Sequence, residues 1–319
     1  MSTVYIAVSY ICNQKCSFCP CSKEEKRFSE PTWENLTRTI ETILVNPDID
    51  SIVVSGGEPT LYSKFADFLH YLCEKPLKSI TVLSTSEHFS NPDFIEELRK
   101  KVDLTRISVI STLHSHLAEE HEKINLTPHS FERTIQGLKN LRRLGVKTTV
   151  KHCITKDNYK DLKAFFEFAD ECFDEKTDIQ LCSIDYCGVP EEERENQMLS
   201  FPELAPYLEE MFDAYIERTT SGSERMLYCI YMPLCSADPY YWDYYMKNPG
   251  GYSAFASSAD KGEVYIASHE NNDVGTYSNK CEVCVARPIC SGTYRSAFVN
   301  FGDRIVEPYI DAEEGELDE

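Results

Sequence analysis

Short apolar runs alternate with amphipathic segments along the first 190 residues. The runs are rich in Val, Ile and Leu and have the length of strands, whereas the segments between them repeat apolar residues every three or four positions, as helices do. The predicted strands are Val4–Ser9, Ser51–Ser55, Ser79–Ser84, Arg106–Ser111, Lys147–Ile154 and Asp178–Ile184. The predicted helices are Thr32–Val45, Ser63–Glu74, Pro92–Lys100, His129–Leu144 and Asn158–Phe173. This alternation predicts an α/β fold with a parallel sheet, a partial (β/α)6 TIM barrel.

The alternation ends near residue 190, which sets the predicted domain boundaries. Residues 1–190 are predicted to form the barrel, and 191–221 a connecting helix, Pro202–Thr219, with a linker. Residues 222–310 are predicted to form a smaller, irregular domain, and 311–319 an acidic tail. The aromatic stretch 240–245 is expected to pack inside the smaller domain or to line a substrate groove.

Composition narrows the class of protein. The chain has 319 residues, of which 42% are hydrophobic and 27% are charged, as in globular proteins. It has no apolar run long enough for a membrane helix and no export signal, so we predict a cytoplasmic protein without a membrane partner. Its net charge of −21 argues against nucleic acid as a partner. The 14 cysteines of a chain in a reducing compartment indicate metal or redox chemistry rather than disulfides.

Three cysteines follow the first predicted strand at the spacing C-x3-C-x2-C. Cys12, Cys16 and Cys19 would lie at the barrel rim where strand-to-helix loops form active sites. Three thiolates can hold three corners of a cubane iron–sulfur cluster and leave the fourth iron open to another ligand. A zinc site that recruits Cys21 as its fourth ligand is the alternative.

The segment Cys12-Asn13-Gln14-Lys15-Cys16-Ser17-Phe18-Cys19 resembles the signature of the radical S-adenosylmethionine (SAM) superfamily. The resemblance implies a [4Fe-4S] cluster whose open iron chelates the amino and carboxylate groups of SAM. It also implies that Phe18 packs near the cofactor and that Cys21, outside the motif, is not a ligand.

A second motif follows the second predicted strand. In Gly56-Gly57-Glu58-Pro59, the glycines would let the backbone approach a ligand closely, and the carboxylate can accept hydrogen bonds from an ammonium group. On residues alone this is also an ordinary glycine turn. It resembles the superfamily motif that holds the methionine amino group. By position only, further SAM contacts are expected from Ser84, Ser111 and Lys151 or His152.

A second cysteine group, Cys281, Cys284 and Cys290, has the spacing C-x2-C-x5-C. A closed cluster needs a fourth thiolate, for which Cys235 and Cys229 are candidates, and zinc is again the alternative metal. Met232-Pro233-Leu234-Cys235 resembles the turn that supplies this ligand in the shortened auxiliary domain called twitch, which favours Cys235. Tyr294 stands where the longer SPASM domain has a further cysteine, so one auxiliary cluster, of the [4Fe-4S] type, is expected.

The C-terminal part resembles maturases of ribosomally made peptides, of the His-Xaa-Ser and cyclophane-forming type. The resemblance implies an enzyme that cleaves SAM with an electron from flavodoxin or ferredoxin. The resulting 5′-deoxyadenosyl radical would abstract hydrogen from a precursor peptide and lead to an oxidative cross-link. Because the first strand is predicted to start at Val4, we expect a separate leader-recognition protein or a sheet edge to hold the peptide.

Three alternatives to the cross-linking enzyme remain. One is a radical SAM dehydrogenase of small molecules, and another is a peptide epimerase. In an epimerase, Cys187, just after the sixth predicted strand, would donate a hydrogen atom to the substrate radical. The third is a non-catalytic module that binds zinc through both cysteine groups.

Overall fold

A computed structural model describes residues 2–23, 30–219, 222–247, 253–257 and 275–310. Within these ranges, the side chains of residues 2, 22, 23 and 253–257 are not described. The predicted acidic tail 311–319 and residues 220–221 of the predicted linker lie outside the described residues.

The described strands form one sheet in the order β7-β6-β5-β4-β3-β2-β1-β8. They are β1 (Ser2–Ser9), β2 (Ile49–Gly56), β3 (Ser79–Ser84), β4 (Ile107–Thr112), β5 (Lys147–Ile154), β6 (Thr177–Ser183), β7 (Leu227–Ile230) and β8 (Ser253–Ser257). The neighbouring strands run parallel in the pairs β1–β2, β1–β8, β2–β3, β3–β4, β4–β5 and β6–β7. The six predicted strands are confirmed to within two residues at each end, whereas β7 and β8 were not predicted.

The described helices alternate with the strands as far as β6. They are α1 (Trp33–Ile43), α2 (Phe65–Cys73), α3 (Pro92–Lys101), α4 (Ala118–Asn125), α5 (Ser130–Arg143), α6 (Leu162–Cys172), α7 (Phe201–Thr219) and α8 (Arg295–Phe301). Six of them correspond to predicted helices, and α4 and α8 were not predicted. The predicted α/β class with a parallel sheet is therefore confirmed.

The pairing register of the first four strands places core side chains next to one another. Val4 pairs with Ile52, Ile52 with Ile80, and Ile80 with Ile107, so these four side chains share one face of the sheet. All four are buried in one cluster with apolar residues of α1, α2 and α3. Burial of each such side chain stabilises the fold by about 1.5–3 kcal/mol.

Helix ends agree with the local sequence. Thr32 caps α1 by accepting a hydrogen bond from the amide of Asn35, and Asn91 caps α3 through the amide of Asp93. Gly145 follows α5 with a φ of +78°, a conformation that glycine adopts without strain. Because the strands are parallel, the loops after β1, β2, β3 and β4 leave the sheet at the same edge.

Contacts divide the chain into two compact units. The first comprises the described parts of Met1–Lys151, Lys176–Asp178 and Gly251–Asn272, and the second comprises those of His152–Glu175, Ile179–Gly250 and Asp273–Glu319. The first cysteine group belongs to the first unit, and the second group belongs to the second. In the described part of the chain, no helix combines the length and the apolar character needed to cross a bilayer.

Candidate active site

The loop that follows β1 carries the first cysteine group. Cys12, Cys16 and Cys19 are all partly exposed. The amide of Gln14 lies 3.4 Å from the sulfur of Cys12, and the amide of Cys19 donates to the carbonyl of Cys16 at 3.1 Å. Burial raises the pKa of the Cys12 thiol to about 12. A metal bound there must therefore displace the thiol proton.

Helix α4 and the turn after it hold this loop from one side. The amide of Lys15 donates to the carbonyl of Asn125, and the amide of Ser17 donates to the carbonyl of Ile124, both at 3.0 Å. These carbonyls belong to the last turn of α4, where the helix itself leaves carbonyls without partners. The carbonyls at the end of α4 and the amides of the cysteine loop thus satisfy each other's hydrogen-bonding capacity.

The glycine motif holds the same loop from the other side. The amide of Gly57 donates to the carbonyl of Ser9 at 2.7 Å, and that of Glu58 to the carbonyl of Ile11 at 2.8 Å. A Cβ on Gly57 would lie 2.3 Å from the Ile11 oxygen, and one on Gly56, whose φ is +123°, would lie 2.0 Å from the Ser9 oxygen. The glycines approach the chain's own backbone, directly before Cys12, and their predicted approach to a ligand stays a prediction.

We therefore expect Gly57→Ala to displace the cysteine loop. The added Cβ meets rigid backbone, so the free energy of unfolding should fall by about 3 kcal/mol, and iron uptake on reconstitution should fall with it. Gly145→Ala is the matched control, because no atom lies within 4 Å of its added Cβ and only its left-handed conformation costs about 1 kcal/mol. Thermal denaturation and iron analysis test this, and a Gly57→Ala protein with normal iron uptake would contradict it.

Glu58 lies at the centre of a hydrogen-bond network. Its side chain is 1% exposed. Oε1 accepts hydrogen bonds from the amide and hydroxyl of Thr60 at 3.1 and 2.6 Å and from the hydroxyl of Ser84 at 2.8 Å, and Oε2 accepts one from the amide of Thr85 at 2.6 Å. Glu58 thereby links the short 3-10 helix Pro59–Leu61 to the turn after β3. Its expected contact with SAM, and that of Ser84, stay predictions.

The other expected SAM contacts lie on β4 and β5 or in the cysteine loop. Ser111 is fully buried on the same face as Val109, and its hydroxyl has no hydrogen-bond partner among the described residues. Lys151 is partly buried on β5. Phe18 is partly exposed, and its ring meets that of His114 edge-on at 5.4 Å. The expected SAM contacts of Ser111, Lys151 and Phe18 all stay predictions.

Two side chains beside the cysteine loop were not predicted. His114 is buried, and its Nε2 lies 3.6 Å from the sulfur of Cys16. Glu87, in the turn after β3, is also buried and accepts hydrogen bonds from the side chains of Asn13 and Gln14. Both residues follow the end of a strand, at the edge of the sheet where the strand-to-helix loops lie. That position was the one feature of the sequence that could have indicated a role for them.

The second cysteine group surrounds a cavity in the second unit. Cys235, Cys281, Cys284 and Cys290 all line it. The sulfur of Cys290 accepts hydrogen bonds from the amides of Leu234 and Gly292, at 3.4 and 3.3 Å. Burial raises the pKa of the Cys235 thiol to about 12. Amides that donate to a sulfur favour its charged form and so suit a metal ligand.

The structure separates the two candidates for the fourth ligand. Cys229 is fully buried on β7, where burial raises its pKa, and it does not line the cavity. Cys235 does line it, in the 3-10 helix Leu234–Ser236. Tyr294, in the place of a further SPASM cysteine, packs its ring 5.2 Å from that of Tyr231. The geometry favours Cys235.

Among the described residues, no three His, Cys, Asp or Glu side chains converge as the ligands of one metal ion. In an iron–sulfur cluster each thiolate binds a different iron. Three cysteines on one loop, and four around one cavity, could hold such clusters, and the identity of the bound metal stays a prediction at both sites.

The remaining candidates lie elsewhere in the second unit. Cys187 is exposed, and its amide donates to Asp185 at 3.0 Å. In the aromatic stretch, the rings of Tyr241 and Tyr244 stack on Phe212 at 5.3 and 5.1 Å. These two tyrosines therefore serve packing, as one of the two interpretations of the stretch expected.

Comparison with known proteins gives the family. Residues 6–169 match the model of the radical SAM superfamily. Curated relatives include the Fe-coproporphyrin III synthase of Methanosarcina barkeri, 28% identical over 166 residues that cover 50% of this chain and 39% of the relative. A probable GTP 3′,8-cyclase of Saccharolobus islandicus is 28% identical over 171 residues, 51% of each chain. The chain thus matches about half or less of these curated relatives.

Solved structures give the fold. SuiB of Streptococcus suis bound to SAM is similar with a TM-score of 0.64 and 16% identity, over 97% of this chain and 76% of that one. The structure of anSMEcpe with bound AdoMet gives a TM-score of 0.69 and 15% identity, over 97% and 93%. The predicted partial-barrel class is therefore confirmed. Since the family model covers just over half of the sequence, including Cys12, Cys16, Cys19 and Gly56–Pro59, the chain belongs to the radical SAM superfamily of enzymes.

Proposed function

We propose that this enzyme modifies a ribosomally made precursor peptide and forms an oxidative cross-link in it. The observation that carries the proposal is the pair of cysteine sites, a loop with three cysteines at the strand ends and a cavity lined by four. Three thiolates leave one iron of a cubane open to SAM, whereas four close a cluster to ligands. The two sites therefore differ in chemistry.

At the first site, Cys12, Cys16 and Cys19 would hold the [4Fe-4S] cluster. Together with SAM and one electron from flavodoxin or ferredoxin, that cluster supplies a 5′-deoxyadenosyl radical. The protein's own task is to hold and orient SAM and the peptide and to keep other quenchers away. Glu58 lies beside the cysteine loop and is the side chain we assign to the methionine amino group of SAM, and Phe18, within the loop, is assigned to packing near the cofactor.

At the second site, we propose a twitch-type auxiliary cluster held by Cys235, Cys281, Cys284 and Cys290. Its support is the cavity that all four line and the amides that donate to Cys290. Cross-linking removes two hydrogen atoms from the peptide. The adenosyl radical would take one as an atom. The second would leave as an electron, which the auxiliary cluster would accept, and a proton, which would pass to water.

A peptide substrate has support from proteins of the same fold. SuiB has been seen bound to its precursor peptide SuiA, with a TM-score of 0.61 to this chain, and anSMEcpe with the Cp18Cys peptide, with a TM-score of 0.66. The net charge of −21 suits a neutral or cationic peptide. We also propose that a separate leader-recognition protein presents the peptide.

Co-expression with a short peptide encoded beside the enzyme tests the substrate class. A cross-link should lower the peptide mass by two hydrogen atoms per modification, as measured by mass spectrometry, and the Cys16→Ala variant should leave the mass unchanged. A modified small molecule together with an unmodified peptide would contradict the proposal.

Epimerisation of the peptide is the second candidate, because Cys187 is exposed and follows the end of β6. An epimerase leaves the peptide mass unchanged in ordinary water and adds one deuterium per modified residue in heavy water. Cys187→Ala should abolish that incorporation and have no effect on cross-linking.

A further inference from the structure

Glu87 connects three parts of the first unit. It lies in the turn after β3 and is 5% exposed. Oε1 accepts hydrogen bonds from the side-chain amides of Asn13 and Gln14, at 2.8 and 2.9 Å. Oε2 accepts one from Nε of Arg133 at 2.7 Å and lies 2.6 Å from its terminal nitrogen. Each carboxylate oxygen therefore has its own partner, the cysteine loop on one side and α5 on the other.

The side-chain amides of Asn13 and Gln14 lie between Glu87 and two of the cysteines. The oxygen of Asn13 lies 3.9 Å from the sulfur of Cys12, and the oxygen of Gln14 lies 3.7 Å from the sulfur of Cys16. The nitrogen end of each amide is fixed on Glu87. Glu87 is thus one side chain away from two of the three cysteines of the motif.

Only a carboxylate of this length satisfies the arrangement. It accepts on both oxygens, so the two amides and the guanidinium all donate to it, and Arg133 balances the buried charge. A glutamine would have to present its own NH2 group either to Arg133 or to the two amides, and a donor would then face a donor. Because Arg133 is charged, the glutamine keeps its oxygen on the guanidinium and turns its NH2 group to the amides. Glu87→Gln therefore breaks the link to the cysteine loop and hardly changes the volume.

We propose that Glu87 is a positioning residue that holds the segment between Cys12 and Cys16, and thereby the cysteine sulfurs, in the arrangement that retains the cluster. The inference rests on the proposed cluster at Cys12, Cys16 and Cys19. It adds a residue distant in sequence that sets how firmly the cluster is held.

The test compares Glu87→Gln with Glu41→Gln in protein reconstituted without oxygen. Glu41 is a matched control in the same unit, because it also accepts hydrogen bonds from two side chains, Tyr71 and Lys75, but it is exposed and does not touch the cysteine loop. Loss of iron in air should be about tenfold faster in Glu87→Gln, since a buried charge-assisted hydrogen bond is lost. Glu41→Gln should match the wild type.

A second variant distinguishes positioning from general stabilisation. Gln14→Met removes the link from the loop side, and it should accelerate iron loss by a similar factor. The double variant Glu87→Gln/Gln14→Met should be no faster than the single ones, because both break the same link. The electron paramagnetic resonance signal of the reduced cluster should change in shape in both single variants, while the thermal midpoint of the metal-free protein stays near that of the wild type.

The results that overturn the inference differ from those that overturn the proposed function. Unchanged iron loss in both single variants, or additive effects in the double variant, would remove the assignment of Glu87. If Glu87→Gln does not fold, Gln14→Met alone decides by its rate of iron loss. If Cys16→Ala retains as much iron as the wild type, the cluster site itself is wrong.

Discussion

Replacement of Cys16 by Ala is expected to remove the first cluster altogether. Only three thiolates are available on the loop, so the loss of one leaves two iron corners without a protein ligand. Iron content should fall by about four per chain, with the same loss of acid-labile sulfide. Cleavage of SAM under reducing conditions should fall to the background.

The neighbouring Cys21 gives a matched control for this variant. It lies two residues beyond Cys19, in the 3-10 helix Pro20–Lys23, and is partly buried like the motif cysteines. Cys21→Ala should keep both the iron and the activity. If Cys21→Ala lost the bound metal instead, a four-cysteine site would be the better description, and zinc in place of iron in the wild type would favour the zinc alternative.

Replacement of Cys235 by Ala is the second large effect that we expect. It removes one of the four cysteines that line the cavity, so about four irons per chain should be lost while the first cluster stays. SAM cleavage should continue, because Cys12, Cys16 and Cys19 are intact. Formation of the oxidised peptide should stop, since the acceptor of the second electron is missing.

Cys229→Ala is the control for Cys235→Ala. Cys229 is buried on β7 and does not line the cavity, so its replacement removes one buried sulfur and costs about 1 kcal/mol of stability. Iron content should remain unchanged. Loss of the second cluster in Cys229→Ala, with its retention in Cys235→Ala, would reverse the assignment of the fourth ligand. Iron analysis and electron paramagnetic resonance spectroscopy of both variants decide this.

The strands of the fold were predictable where the apolar signal was strong. The runs around Ile52, Ile80 and Val109 are buried on the sheet, and their pattern predicted β2, β3 and β4 to within two residues. Strand β7 has four residues, and β8, Ser253–Ser257, is built mostly of small ones. Short or small-residue strands carry little apolar periodicity, so they were not predicted.

Helix α4 shows that a buried helix need not have the apolar periodicity from which a helix is predicted. Its buried residues are His121, Ile124 and Asn125, so its hidden face is mostly polar. Burial lowers the pKa of His121 to about 4, which keeps the ring neutral. The polar side chains are satisfied by other polar groups, which include the amide of His114 and the hydroxyl of Ser130. A helix of this kind has no apolar stripe to recognise.

The cysteine groups were visible in the sequence, whereas the residues that hold the cysteine loop in place were not. Cysteine spacing is a local property, so both cysteine groups could be found from the sequence. Glu87 acts on Asn13 and Gln14 across more than 70 positions of chain, and its contribution depends on the fold that brings them together. The glycine motif was found, but its contact with the backbone of Ser9–Ile11 became visible only in the structure.

Cleavage of SAM tests the central claim most directly. The protein is purified and reconstituted without oxygen, then given SAM and dithionite, and 5′-deoxyadenosine and methionine are measured by chromatography. We predict that both appear in equal amounts with the wild type and that neither rises above background with Cys16→Ala. If fully reconstituted wild-type protein releases no 5′-deoxyadenosine, the proposed radical chemistry at the Cys12, Cys16 and Cys19 site is wrong.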